Sequence, residues 1–155
     1  MAEQEKIVRE VEAFYRNYID GFNREDIDIF MQSFDLPFIV ISGEHGATVC
    51  SNEAEQQSFY TRMMGAIQEQ GWAKSGVDQL RVWPLADRLA ILMADVTRYR
   101  RDGSVIARLR AFYNVRNDGK NWKIVSLSEA RTPFTGPGGL PRPAARQDSF
   151  DISAT

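Results

Sequence analysis

Residues 89–130 read LAILMADVTRYRRDGSVIARLRAFYNVRNDGKNWKIVSLSEA. Three apolar-rich runs, Leu89 to Arg100, Val105 to Arg116 and Trp122 to Ala130, are separated by Asp102-Gly103 and Asp118-Gly119. Asp-Gly between β-rich runs is a strong hairpin signal, because the favoured two-residue turn needs positive φ at its centre. The stretch therefore predicts three strands paired antiparallel in sequence. Upstream, Ala73 to Trp83 reads as another strand of the same kind, turned back by Pro84-Leu85-Ala86-Asp87.

The pattern before Ala73 is mainly helical. Ile7, Val8, Val11, Phe14, Tyr15, Tyr18, Ile19 and Phe22 recur every three or four residues, which marks an amphipathic helix from Lys6 to Phe22 that Gly21 helps to end. Asn23 is placed to cap a second, short helix with Glu25 and Asp26 in its first turn and Ile27, Phe30 and Met31 on its apolar face. Pro37 to Ser42 reads as a strand, Gly43-Glu44-His45-Gly46 as a turn, and Ala47 to Cys50 as a short return strand. Ser51 or Asn52 can cap a third helix that runs to about Gln70 and stops at Gly71. This order predicts an α+β domain over 1–131, with N-terminal helices packed on a curved antiparallel sheet that forms a cone around an internal pocket. From Thr132 prolines and glycines accumulate and periodicity ends, so 132–155 reads as a tail. It is either loosely draped or an arm laid over a partner subunit or the pocket mouth through Phe134, Leu140 and Phe150.

Composition narrows the function. At 155 residues and 43% hydrophobic content the chain suits one core. A net charge of −2 argues against nucleic acid, whose binding is driven by excess Lys and Arg. The opening Met-Ala-Glu-Gln-Glu-Lys is not a secretory start, and no apolar run approaches the ~20 residues that cross a bilayer, so neither export nor a membrane partner is expected. With Cys50 as the single cysteine no internal disulfide can form, which suits a cytoplasmic location. Cys50 itself reads as a small buried hydrophobe. His45 reads as a solvated turn residue, and one His with one Cys is no metal-ligand set, so neither metal nor cofactor is expected.

Two words carry a family likeness: Phe14-Tyr15-Arg16-Asn17-Tyr18-Ile19-Asp20-Gly21-Phe22-Asn23-Arg24-Glu25-Asp26, a helix followed by N-x-x-D, and Asn121-Trp122-Lys123-Ile124-Val125-Ser126, a closing W-x-I-x strand. Together with the element order they make the chain resemble, from about Ile7 to Ala130, the nuclear-transport-factor-2-like and SnoaL-like superfamily. The resemblance implies a cone fold that hosts enzymes, carriers and interaction modules alike. Set against the ketosteroid isomerases of that superfamily, Tyr18 lies five residues before Asn23, where those enzymes place an oxyanion-binding tyrosine. Ile41 and Ser42 stand where they place the general base, and Ala111 stands where they place a protonated carboxyl. The His-Asp pair that the resemblance implies for dehydratase-like chemistry would need a second histidine beside His45, and the chain has one.

Side-chain parity across the Asp-Gly turns divides the strands into two faces. Leu92, Ala94 and Val96 share a face with Leu109, Ala111 and Tyr113, and continued parity adds Trp122, Ile124, Ser126 and Ser128. This face is assigned to the pocket, with Tyr15, Tyr18, Tyr113, Ser126 and Ser128 as ligand-binding candidates. The other face carries Met93, Asp95, Thr97, Arg108, Arg110, Phe112, Val125, Leu127 and Glu129, with Asp95 opposite Arg110 and Arg108 opposite Glu129. Tyr18, Asp95 and Arg110 are the weak catalytic candidates, and an outward cross-strand ion pair is the preferred reading of Asp95 and Arg110. Phe112, Val125 and Leu127 on that outward face predict a homodimer through the sheet. Two functions stay open: a pocket enzyme or carrier for a hydrophobic small molecule, and a noncatalytic dimeric interaction module with a filled cavity.

Overall fold

The structure is a computed structural model that describes residues 2–130, so the tail expected over 132–155 lies outside the described residues. Helix α1 (Ala2–Asn23) buries Ile7, Val11, Tyr15, Tyr18, Ile19 and Phe22 along one stripe, as the 3.6-residue period requires. Gly21 does not end this helix. It admits α2 (Ile27–Ser33) to close packing, since a Cβ built on Gly21 would stand 2.7 Å from Ile29 Cβ. Asp26, not Asn23, caps α2, its Oδ1 accepting from the backbone N–H of Asp28 and Ile29 at 3.1 and 3.2 Å. The reason is Glu25, whose left-handed φ of 54° reverses the chain between the helices and leaves the Asn23 side chain facing the sheet. Asn52 caps α3 (Glu53–Glu69) through Glu55 N–H, and Gly71, at φ 86°, turns the chain out of it.

Six strands, β1 (Phe34–Ser42), β2 (Gly46–Cys50), β3 (Trp72–Ala86), β4 (Leu89–Arg100), β5 (Val105–Asn117) and β6 (Trp122–Glu129), form one sheet in the order β2-β1-β6-β5-β4-β3. The expected α+β class holds, but the sheet is mixed: β1 pairs parallel to β6, and every other neighbour is antiparallel. Helix α3 carries the chain from β2 to the far edge at β3, and the β3–β6 meander then works back until its last strand meets β1 running the same way. β3 continues past Trp83 through Pro84, which an edge strand tolerates because nothing beyond it needs the missing N–H. Both Asp-Gly hairpins form, with Gly103 at φ 87° and Gly119 at φ 102°. In the second, Asp118 Oδ1 accepts from Lys120 N and Asn121 N at 2.9 Å, and these amide bonds hold its carboxyl down at about 2.

The helices cover one face of the sheet. Trp122 Nε1 donates to Glu10 Oε1 at 3.1 Å and ties β6 to α1, while Phe30, Phe34 and Phe38 pack as tilted rings at centroid spacings of 4.7 and 4.5 Å beside Phe59 of α3. Such aromatic pairs add about 0.5–1.5 kcal/mol each beyond their burial. Among the described residues no helix is long and apolar enough to cross a membrane.

The register confirms one half of the parity argument and corrects the other. Leu92 pairs with Tyr113, Ala94 with Ala111 and Val96 with Leu109, all on the helix-covered face. Between β5 and β6, however, Val115 pairs with Ile124 and the next residue, Asn114, with Ser126, so Val125 is an extra residue and the strand carries a β-bulge. A bulge shifts parity by one. Trp122 and Ile124 stay inside, but Leu127 and Glu129 follow them there, opposite Tyr113 and Ala111, while Ser126 and Ser128 turn outward beside Asn114 and Phe112. The expected Arg108–Glu129 opposition does not form, since Glu129 pairs with Ala111.

Candidate functional site

Under the helices lies a cavity of about 60 Å³, where on the same measure one water needs about 10–15 Å³. Helix α1 reaches it with Tyr15, Tyr18, Ile19 and Phe22, which the helical period stacks on one stripe; α3 supplies Phe59 and Met63. The sheet floor is made of short side chains, above all Ala94 and Ala111, directly opposed across β4 and β5. Two alanines at the centre of a curved floor leave the space that larger side chains would fill.

Three phenols converge there. The Tyr15 and Tyr113 hydroxyls lie 3.1 Å apart and share one hydrogen bond, with their rings edge to face at 5.3 Å. The Tyr18 ring stands 5.6 Å from that of Tyr15, and its hydroxyl makes no hydrogen bond among the described residues. Burial raises all three: Tyr15 and Tyr18 sit well above the ordinary tyrosine value and Tyr113 is pushed up to about 12. At neutral pH they are therefore hydrogen-bond donors and not bases. One proton of the Tyr15–Tyr113 pair is spent within the pair, which leaves the second of these and the Tyr18 proton to face a guest.

Of the predicted residues, Tyr15, Tyr18 and Tyr113 are brought together at this cavity. Ser126 and Ser128 are not: the bulge at Val125 turns them to the opposite face, where Asn114 Nδ2 donates to Ser126 Oγ at 2.9 Å. Asp95 and Arg110 are likewise separated from Tyr18. They pair across β4 and β5 on the face away from the helices, Arg110 Nε to Asp95 Oδ1 at 2.6 Å and Nη2 to Oδ2 at 2.7 Å. The pair is buried, at 0% and 3% exposure, so it is no solvated surface bridge. His45 lies in the exposed β1–β2 turn. Cys50 is buried, and that burial raises its thiol.

The structure adds residues that the sequence did not single out. Arg98 and Ser75, paired across β3 and β4 and both buried, line the same cavity. Extending the alternation Leu92, Ala94, Val96 by two positions points to Arg98. Glu129, inward because of the bulge, pairs with Ala111, and its Oε1 accepts from Ser42 Oγ at 2.9 Å. Among the described residues no group of three His, Cys, Asp or Glu side chains stands close enough to hold a metal ion.

Residues 9–132 match the family described as NTF2-like protein (DUF6841). The chain belongs to that family. No curated protein matches the sequence of this DUF6841 member. Its fold is similar to that of an NTF2-like protein of unknown function from Pseudomonas putida KT2440, with a TM-score of 0.67 at 12% identity over 96% of both chains. It is also similar to a ketosteroid isomerase-like protein from Erwinia carotovora atroseptica, with a TM-score of 0.59 at 16% identity over 81% of this chain and 97% of the other. A cystatin-like domain of unknown function from Nostoc punctiforme gives a TM-score of 0.59 at 21% identity, over 80% of this chain and 76% of that one. At such identities the likeness is one of fold.

Proposed function

We propose that this DUF6841 protein binds a small, largely hydrophobic molecule in the cavity between α1 and the sheet, oriented by hydrogen bonds donated from Tyr18 and from the Tyr15–Tyr113 pair. The observation that carries this reading is the Tyr18 hydroxyl, which opens on a cavity where a packed core would have given it a partner. Recognition by donated hydrogen bonds suits the lining, whose titratable groups are phenols held protonated and one guanidinium. A cytoplasmic setting, inferred from Cys50 as the single cysteine, belongs to the same proposal.

Native mass spectrometry of the purified protein tests it by reporting the subunit count and the mass of any retained molecule together. Tyr18→Phe should weaken a ligand that accepts a hydrogen bond there by about fivefold to tenfold, the worth of one neutral hydrogen bond, with little change in thermal stability. A chain mass without adduct, and no binding of small aromatic probes in calorimetry, would overturn the reading.

A further inference from the structure

Helix α3 forms one wall of the cavity through Phe59 and Met63, and its buried stripe is Gln56, Tyr60, Met63, Met64 and Ile67. The first two positions of that stripe are polar. Gln56 is 0% exposed; its Nε2 donates to Met31 O at 3.1 Å, and its Oε1 has no hydrogen-bond partner among the described residues. Tyr60 packs its ring 4.6 Å from that of Phe30, and its buried hydroxyl likewise lacks a partner among the described residues. A polar atom buried without a partner loses its hydration and recovers it wherever it meets water again. The packed position of α3 therefore carries a cost that outward movement of the helix relieves.

A third feature loosens the same helix. Gly65 stands in its middle and is exposed, and a Cβ built on it meets nothing within 4 Å. Its φ is not left-handed either, so neither close packing nor backbone geometry calls for glycine there. Glycine inside a helix weakens it relative to alanine. The cavity supplies a reason for a wall that yields. It measures about 60 Å³, whereas an apolar cavity that admits benzene measures on the order of 150 Å³. Helix α1 is tied to the sheet by Trp122 Nε1 on Glu10 and by the two hydrogen bonds of Asn23 with the Ser75 backbone, so α3 is the wall that can give.

We propose that α3 is the lid of the cavity: it swings away from the sheet to admit the ligand and closes over it. In the open form the Tyr60 hydroxyl and Gln56 Oε1 are hydrated. In the closed form Met63, an unbranched side chain that repacks readily, adapts to the guest. The ligand is then an apolar molecule of about the size of one aromatic ring, larger than the resting cavity. This assignment rests on the pocket reading above and adds how the site opens and what size of guest it takes.

Two measurements on the full chain test it: amide hydrogen exchange, and stopped-flow quenching of tryptophan fluorescence by acetophenone, a neutral ring with one hydrogen-bond acceptor. Without the probe, α3 amides should exchange at least about tenfold faster than those of the buried stripe of α1, and acetophenone should slow them. Tyr60→Phe keeps the ring and removes the hydroxyl. It should raise the melting temperature and slow both α3 exchange and acetophenone association by at least about fivefold. Gly65→Ala should slow both by about twofold to fivefold. Neither residue lines the cavity, so a shared effect separates a lid from an altered lining. Exchange in α3 as slow as in α1, or a Tyr60→Phe protein that melts below the wild type, would overturn the lid and leave the pocket standing where acetophenone binds. Variants that slow exchange without slowing association would overturn it too. Failure of acetophenone to bind the wild type, whatever the exchange rates, would overturn the pocket reading and the lid together.

Discussion

Asp95→Asn preserves the shape of a side chain that is wholly buried and removes the charge facing the Arg110 guanidinium at 2.6 and 2.7 Å. An exposed pair of the same type contributes about 0–1 kcal/mol, because water screens it and both side chains are mobile. This pair is out of water and bidentate, so removing one partner should cost about 3–5 kcal/mol. For a chain of this length about 2–4 °C of melting temperature accompanies each kcal/mol, which places the expected loss at roughly 6–20 °C. Urea denaturation, with calorimetry alongside, measures it. Lys6→Ala is the control, since Lys6 meets Glu10 at 4.0 Å with side chains 58% and 42% exposed and should change stability by less than about 0.5 kcal/mol. The double variant Asp95→Leu with Arg110→Met replaces two charges by apolar groups and should recover most of the loss, a coupling that a double-mutant cycle reads directly. Cavity binding should be untouched in Asp95→Asn, because the pair lies on the opposite face of the sheet. A cost below about 1 kcal/mol, or a double variant no better than the single one, would refute the argument that the pair is desolvated.

Gly21→Ala should destabilise by about 1–3 kcal/mol, since the added methyl meets Ile29 and the α1–α2 contact must open; urea midpoints check it. Above about pH 10 the unfolded chain releases phenolic protons that folded Tyr15, Tyr18 and Tyr113 retain, Tyr113 up to about 12. The native state then binds more protons, so stability is at its full value below about pH 10 and declines as pH rises toward 12; unfolding midpoints across that range should fall, and less steeply in Tyr113→Phe. We further propose that two copies associate through the outward face of the sheet, supported by the partly exposed Ile91 and Phe112 on that face. On that proposal Phe112→Glu should sediment as a folded monomer where the wild type sediments as a dimer, and a wild type that is monomeric at high concentration would dismiss it.

Local chemistry was sufficient for much of this molecule. A 3.6-residue period put Tyr15 and Tyr18 on one stripe of α1, and the Asp-Gly turns set the inner faces of β4 and β5 through Leu92, Ala94, Ala111 and Tyr113, because helix period and turn geometry depend on neighbours in the chain. Three things depended on contacts between distant residues. Val125 bulges in a strand that pairs with β1 and β5 at once, and that one residue moved Ser126 and Ser128 outward and brought Leu127 and Glu129 in. Asn23 looked like a cap by sequence, yet Glu25 turned the chain early and the amide found the Ser75 backbone 52 residues away. Whether Asp95 and Arg110 meet in water or out of it decides whether their pair is worth tenths of a kcal/mol or several, and no alternation of side chains along a strand records what surrounds it. Sequence therefore determined the elements and the tyrosines. The tertiary structure decided which polar groups join them, because parity survives only as far as the first irregularity in a ladder and burial is a property of the assembled chain.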